Sequence, residues 1–121
     1  MTQLVLERTA ACLALRATFA RSSWSRMRGL LGRTGLSIDE ALIFERSASI
    51  HTIGMRFPID AIFVDREWRV VGLKADLRPG KLVLWVARAW GTIEMASGSI
   101  ARCDVRIGDH IRPVRDRAAG P

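Results

Sequence analysis

Short runs of β-branched, aliphatic and aromatic residues, punctuated by turn chemistry, recur along this chain and limit what it can fold into. They fall at residues 4–7, 12–16, 41–45, 60–65, 68–74, 82–87 and 92–95, each suited to a strand on a pleated surface. Asp65-Arg66-Glu67 joins two of them as a tight hairpin. Arg78-Pro79-Gly80-Lys81 places proline where φ is fixed and glycine where φ turns positive. Strands this short and this frequent predict a mainly β fold, an antiparallel sandwich or a partly open barrel.

One segment departs from the β pattern, Ser22-Ser23-Trp24-Ser25-Arg26-Met27-Arg28-Gly29-Leu30-Leu31-Gly32-Arg33. Trp24, Met27, Leu30 and Leu31 share one helical face, and Ser22 or Ser23 is placed to accept a first-turn N–H. The spacing predicts one N-terminal α-helix at about residues 22–32, closing an end of the β core. A chain of 121 residues, 49% hydrophobic, holds one such core. Residues 1–114 are expected to form a single domain, and 115–121, without apolar anchors, a disordered tail.

The net charge of +7, from 19 Lys+Arg against 12 Asp+Glu, invites a nucleic-acid reading. The excess is uneven. Residues 34–100 carry eight basic and eight acidic side chains and are neutral, so the excess sits in the first 33 residues and the last 21. Almost all of it is arginine, Lys74 and Lys81 being the only lysines, a bias that GC-rich coding produces without functional demand. Nucleic acid is therefore not expected as a partner, although the Arg-rich 22–32 segment keeps weak binding as an alternative.

No window approaches the roughly 18 consecutive apolar residues of a membrane-spanning helix. Glu7 and Arg8 interrupt any secretory signal, so a cytoplasmic location and no membrane partner are expected. Cys12 and Cys103, the only cysteines, lack a C-x-x-C spacing and read as two lone buried thiols. Trp24 and Trp85 lie in apolar settings and are expected inside. Trp68 and Trp90 are expected nearer the surface, where with Arg66, Arg69 or Arg88 they would form a stacking face for an anionic or aromatic ligand.

The most informative stretch is Ile50-His51-Thr52-Ile53-Gly54-Met55-Arg56-Phe57-Pro58-Ile59-Asp60-Ala61-Ile62-Phe63-Val64-Asp65. Pro58 cannot sit in a central strand, so residues 54–58 are read as a loop that delivers Ile59 into one. From there Ile59, Ala61 and Phe63 point one way and Asp60 and Ile62 the other. A carboxylate placed among apolar neighbours must find donors, because an unpaired buried polar group costs about 1–3 kcal/mol.

With this block, the Arg26-Met27-Arg28-Gly29-Leu30-Leu31-Gly32 segment and a closing run containing Glu94, Gly98 and Ile107-Gly108-Asp109, residues 18 to about 113 resemble the prokaryotic domain of unknown function 192 family. The resemblance implies a compact, mostly β domain of the sandwich type with one helix near its start. It implies no activity.

His51, Asp60 and Glu94 are the polar positions inside these landmarks. With Met55 and Arg56 they are the candidate ligand-binding residues, beside a structural alternative in which Asp60 and Glu94 tie down loop N–H groups or pair with arginines. No catalytic residue, metal site or cofactor is assigned. No Gly-x-Ser-x-Gly elbow or phosphate-binding Gly-rich loop occurs, and Cys103 has no nearby His to activate it. The leading expectation is a non-enzymatic module that binds a small ligand or a protein in a cleft beside the 51–60 loop. The enzymatic alternative, a metal-dependent or acid–base hydrolase, requires His51, Asp60 and Glu94 to converge in one pocket.

Overall fold

The computed structural model describes residues 1–20, 33–83 and 85–115. Among them are β1 (Thr2–Leu6), β2 (Ala11–Phe19), β3 (Glu40–Glu45), β4 (Ile50–His51), β5 (Ile59–Val64), β6 (Val70–Leu77), β7 (Leu82–Val83), β8 (Gly91–Ala96), the helix α1 (Ser99–Cys103) and β9 (Ile111–Arg115). Seven strands form one curled half-barrel sheet in the order β6-β5-β8-β3-β2-β1-β9, and β4 pairs with β7 in a separate ribbon.

The mainly β class is therefore correct; of the two expected arrangements the curled half-barrel comes nearer to the partly open barrel, and the antiparallel sandwich is not what the described strands form. There is one large sheet rather than two comparable ones, and β2 runs parallel to β3. A parallel pair needs a crossover of a dozen or more residues, and residues 20–39 supply it. The helix expected over 22–32 falls on residues 21–32, outside those described, as do 116–121 of the expected tail. Arg115 itself belongs to β9 and pairs with Thr2.

The sheet is buried on both faces at its centre. Every residue of β5 and of β8 is buried. The alternation read from the sequence holds: Ile62 and Val64 enter one apolar cluster with Leu4, Leu13, Ile43, Ile93 and Met95, while Ile59, Ala61 and Phe63 enter a second with Ile50 and Phe57. Full burial of each large side chain contributes about 1.5–3 kcal/mol. α1 caps the first cluster with Ile100.

The turns follow their chemistry. Asp65 Oδ1 accepts from the N–H groups of Glu67 (3.0 Å) and Arg69 (2.9 Å), closing the β5–β6 hairpin, and Gly80 takes a φ of 85°. Pro113 sits in β9, opposite Leu4, at the sheet edge, where no donor is needed on the open side.

The strand expected over 82–87 stops at Val83. Trp85 and Arg88 adopt left-handed backbone, φ 55° and 67°, and Val86 and Ala89 turn back onto the second cluster. Trp85 is consequently 82% exposed rather than buried. Trp68 is the converse: it packs on the first cluster, edge-on to Phe19 and Trp90 with centroids 6.3 and 6.5 Å away. Cys12 is exposed and Cys103 half-buried, so the expectation of two buried thiols fails. Cys12 alternates outward from Leu13 on β2.

Ionic ties hold the β1–β2 turn to the segment before β9. Arg8 Nε donates to Asp109 Oδ1 at 2.8 Å, and this bond holds the Asp109 carboxyl below its usual range. Next to it, His110 Nδ1 meets Glu7 Oε2 and Nε2 meets the Glu67 carbonyl, each at 2.6 Å. Both partners are acceptors, so the protonated ring satisfies both. The bond to Glu7 raises the imidazole above its usual 6.5, and the same bond lowers Glu7 below its usual 4.5. Arg69 opposes the His110 shift by repulsion.

The stabilising effect of a raised imidazole is complete below 6.5 and disappears as pH rises through the raised value. That of the lowered carboxylate is complete above 4.5 and disappears as pH falls through the lowered one. The melting-temperature gap between wild type and His110→Ala should therefore be widest between these two values and shrink toward alkaline pH. A gap that grows with alkalinity refutes the tie. A packing test is independent of charge: a Cβ on Gly72 would lie 2.8 Å from Val86 Cγ1. Gly72→Ala should cost about 1–3 kcal/mol by overpacking, and adding Val86→Ala should restore part of it in denaturant melts.

Candidate functional site

The loop between β4 and β5 is fastened from beneath by Thr52, which is fully buried. Its hydroxyl donates to the Arg78 carbonyl at 2.6 Å and accepts from the Lys81 N–H at 2.9 Å. Its backbone N–H bonds the Lys81 carbonyl, and its carbonyl accepts from Met55 and Gly80. One threonine thus joins the loop to the Arg78-Pro79-Gly80-Lys81 turn. Sequence reasoning passed it over; the available signal was a β-branched hydroxyl residue enclosed by apolar neighbours. Phe57 is buried in the second cluster and Met55 packs against it, while Ile53 and Arg56 face outward.

Asp60 ends the loop and begins the sheet. It is fully buried, and its two oxygens are used in different directions. Oδ1 accepts from the Asp76 N–H on β6 and Oδ2 from the Ile100 N–H in the first turn of α1, both at 2.8 Å. The structural alternative is the one supported here: the carboxylate ties backbone donors, and its partners are N–H groups rather than arginine. It acts as the helix cap that Gly98, at the N-cap position, has no side chain to provide.

Glu94 lies opposite both Ala61 and Leu42 in the registers of β8 with β5 and β3. Directly opposed residues share a face, so Glu94 points to the side of Ala61, the second cluster. Asp60 points with Ile62 to the first. The two carboxylates therefore project from opposite faces of one sheet. His51 stands on the separate β4–β7 ribbon, paired with Leu82. Its Nδ1 is buried and has no hydrogen-bond partner among the described residues. Thus His51 ends β4, Met55 packs inward and Arg56 faces outward on the loop that follows, Asp60 stands at the loop's foot, and Glu94 is directed away from Asp60. Among the described residues no three His, Cys, Asp or Glu side chains gather as a metal-binding group.

A curled, mainly β sheet with helix α1 against one face and an anchored loop leading into the buried strand β5 defines a small β domain. Residues 4–113 match the family model for domain of unknown function 192, described as an uncharacterized ACR, and the chain belongs to that family. Two solved structures are similar. One is a protein of unknown function from Novosphingobium aromaticivorans DSM 12444, with a TM-score of 0.77 and 26% identity over 92% of this chain and 82% of that one. The other, from Sinorhizobium meliloti 1021, is described provisionally as a transcription regulator. It has a TM-score of 0.75 and 17% identity over 93% of this chain and 91% of that one, a likeness of fold. No curated protein shows significant similarity to the chain.

Asp60→Ala leaves the buried Ile100 N–H without an acceptor and frees the exposed Asp76 N–H to water, and should lower stability by about 1–3 kcal/mol in urea titrations. Asp60→Asn, which keeps one acceptor oxygen, should fall between. An unchanged midpoint for Asp60→Ala would contradict the bridging role.

Proposed function

We propose that the domain is a non-enzymatic binding module whose small ligand docks on the 51–60 loop. The observation that carries this is the His51 Nδ1 atom, a buried ring nitrogen without a partner among the described residues, whereas the neighbouring polar groups of Thr52 and Asp60 are satisfied. An unmet hydrogen-bonding group at a half-buried position is a group that a ligand can complete. In this reading His51 and Arg56 supply polar contacts and Met55 an adaptable apolar one. Asp60 sets the position of the loop, while Glu94 is buried on the second-cluster face and offers a docked ligand almost no surface.

The hydrolase reading lacks support from geometry, because acid–base catalysis needs His51, Asp60 and Glu94 around one reacting atom and the two carboxylates diverge. The nucleic-acid reading depends on the arginines of 22–32, which lie outside the described residues. It gains only a fold likeness to a provisionally described regulator.

The test is a fragment screen by amide-resonance NMR on wild type and His51→Phe. Fragments should shift the resonances of His51, Met55 and Arg56 and bind His51→Phe at least about ten-fold more weakly, as expected for loss of a hydrogen bond of about 1.5 kcal/mol. The two proteins should melt alike. Fragments that bind both equally, or that never perturb the loop, would overturn the proposal.

A further inference from the structure

A second concave feature lies away from the 51–60 loop and shares no residue with it. It is a groove of about 330 Å³ between the start of β6, the turn that follows β7 and the turn that precedes β9. Val71, Ala87 and Ile107 give it apolar walls, and Arg69 and Arg88 stand on its rim. Ile107 is 62% exposed, a large aliphatic side chain that no other part of the described chain covers. The two arginines are held differently. Arg69 spends one guanidinium N–H on the Gly108 carbonyl, 3.1 Å away, which fixes the head at the groove and leaves its other donors for a ligand. Arg88 is carried on left-handed backbone, φ 67°, in the turn whose ends are pinned by Val86 N–H to the Ala48 carbonyl and Trp90 N–H to the Val64 carbonyl.

From these features we infer that the groove is a binding site for a small organic carboxylate with a flat apolar body. Charge complementarity selects the head: two guanidinium groups and no acidic side chain among the lining residues favour one anion, and a carboxylate accepts a fork of parallel N–H bonds from arginine. The apolar walls select the body. The volume lies at the lower end of small-molecule sites and suits one or two fused rings. A phosphate-rich ligand does not fit, because beyond its carboxylate-sized head it would meet only Val71, Ala87 and Ile107.

The probe is 2-naphthoate, titrated calorimetrically into the full chain, with neutral 2-naphthamide as the uncharged comparison. Arg88→Asn removes the guanidinium and keeps a residue that tolerates left-handed backbone. Ile107→Asp places a like charge on the wall. Arg46→Asn, at an exposed left-handed position after β3 and outside the groove, changes the net charge by the same amount. 2-Naphthoate should bind wild type and Arg46→Asn equally, bind Arg88→Asn at least ten-fold more weakly and fail to bind Ile107→Asp, while 2-naphthamide should bind at least ten-fold more weakly than the acid. Equal affinity for acid and amide, equal affinity of wild type and Arg88→Asn, or no binding to wild type at millimolar concentration would each overturn the assignment. Melting curves of the variants at the wild-type temperature show that a lost affinity is not a lost fold. Loss of 51–60 loop binding would leave these outcomes unchanged.

Discussion

The Asp60 carboxylate is the interaction on which the arrangement of the sheet and its helix depends. A five-residue helix is far below the length that forms unaided, and the N-cap of α1 is a glycine with no side chain to receive its first N–H groups. Asp60 receives one of them from a neighbouring strand and, with its other oxygen, holds the backbone of β6 at Asp76. The helix, β5 and the edge strand β6 are thus joined at one buried carboxyl group. Ile100 then enters the first apolar cluster as a consequence of where the carboxylate stands.

Because β5 and β8 are covered on both faces, neighbouring residues on these strands serve different environments. Asp60 and Glu94 are close in register yet point into opposite halves of the molecule, the reason that a sequence constellation does not become a catalytic one. The two sites proposed for recognition both lie where the sheet gives way to loops: beside His51 on one side, and at the Arg69 and Arg88 groove on another.

Much of this was legible in the sequence where local chemistry and tertiary structure agree. The alternation of residues 59–64, the Pro58 boundary, the Asp65 hairpin and the Arg78-Pro79-Gly80-Lys81 turn all carry their own steric reasons, and each appears in the structure. Misreadings arose where tertiary contacts decide. The apolar run from Leu82 to Ala87 has the composition of a strand, but left-handed backbone at Trp85 and Arg88 turns it into a folded-back segment. The helix α1 has no sequence signature because its cap comes from forty residues away. Parallel pairing of β2 with β3 likewise depends on a crossover that strand composition does not encode. For the candidate site, residue types pointed to the 51–60 loop, but sequence offered no means of learning that Asp60 would be occupied with backbone donors.

Pro113 carries a consequence beyond its own strand. A half-barrel that does not close leaves two edges, and an open edge is a template on which another chain can continue the sheet. On β9 the proline interrupts the row of donors such a chain would need, and the exposed Arg112 and Arg115 on either side of it place like charges where an identical strand would have to approach. The last strand thereby both completes the sheet and ends it, which keeps an incompletely closed β domain from growing into fibres by edge addition on that side.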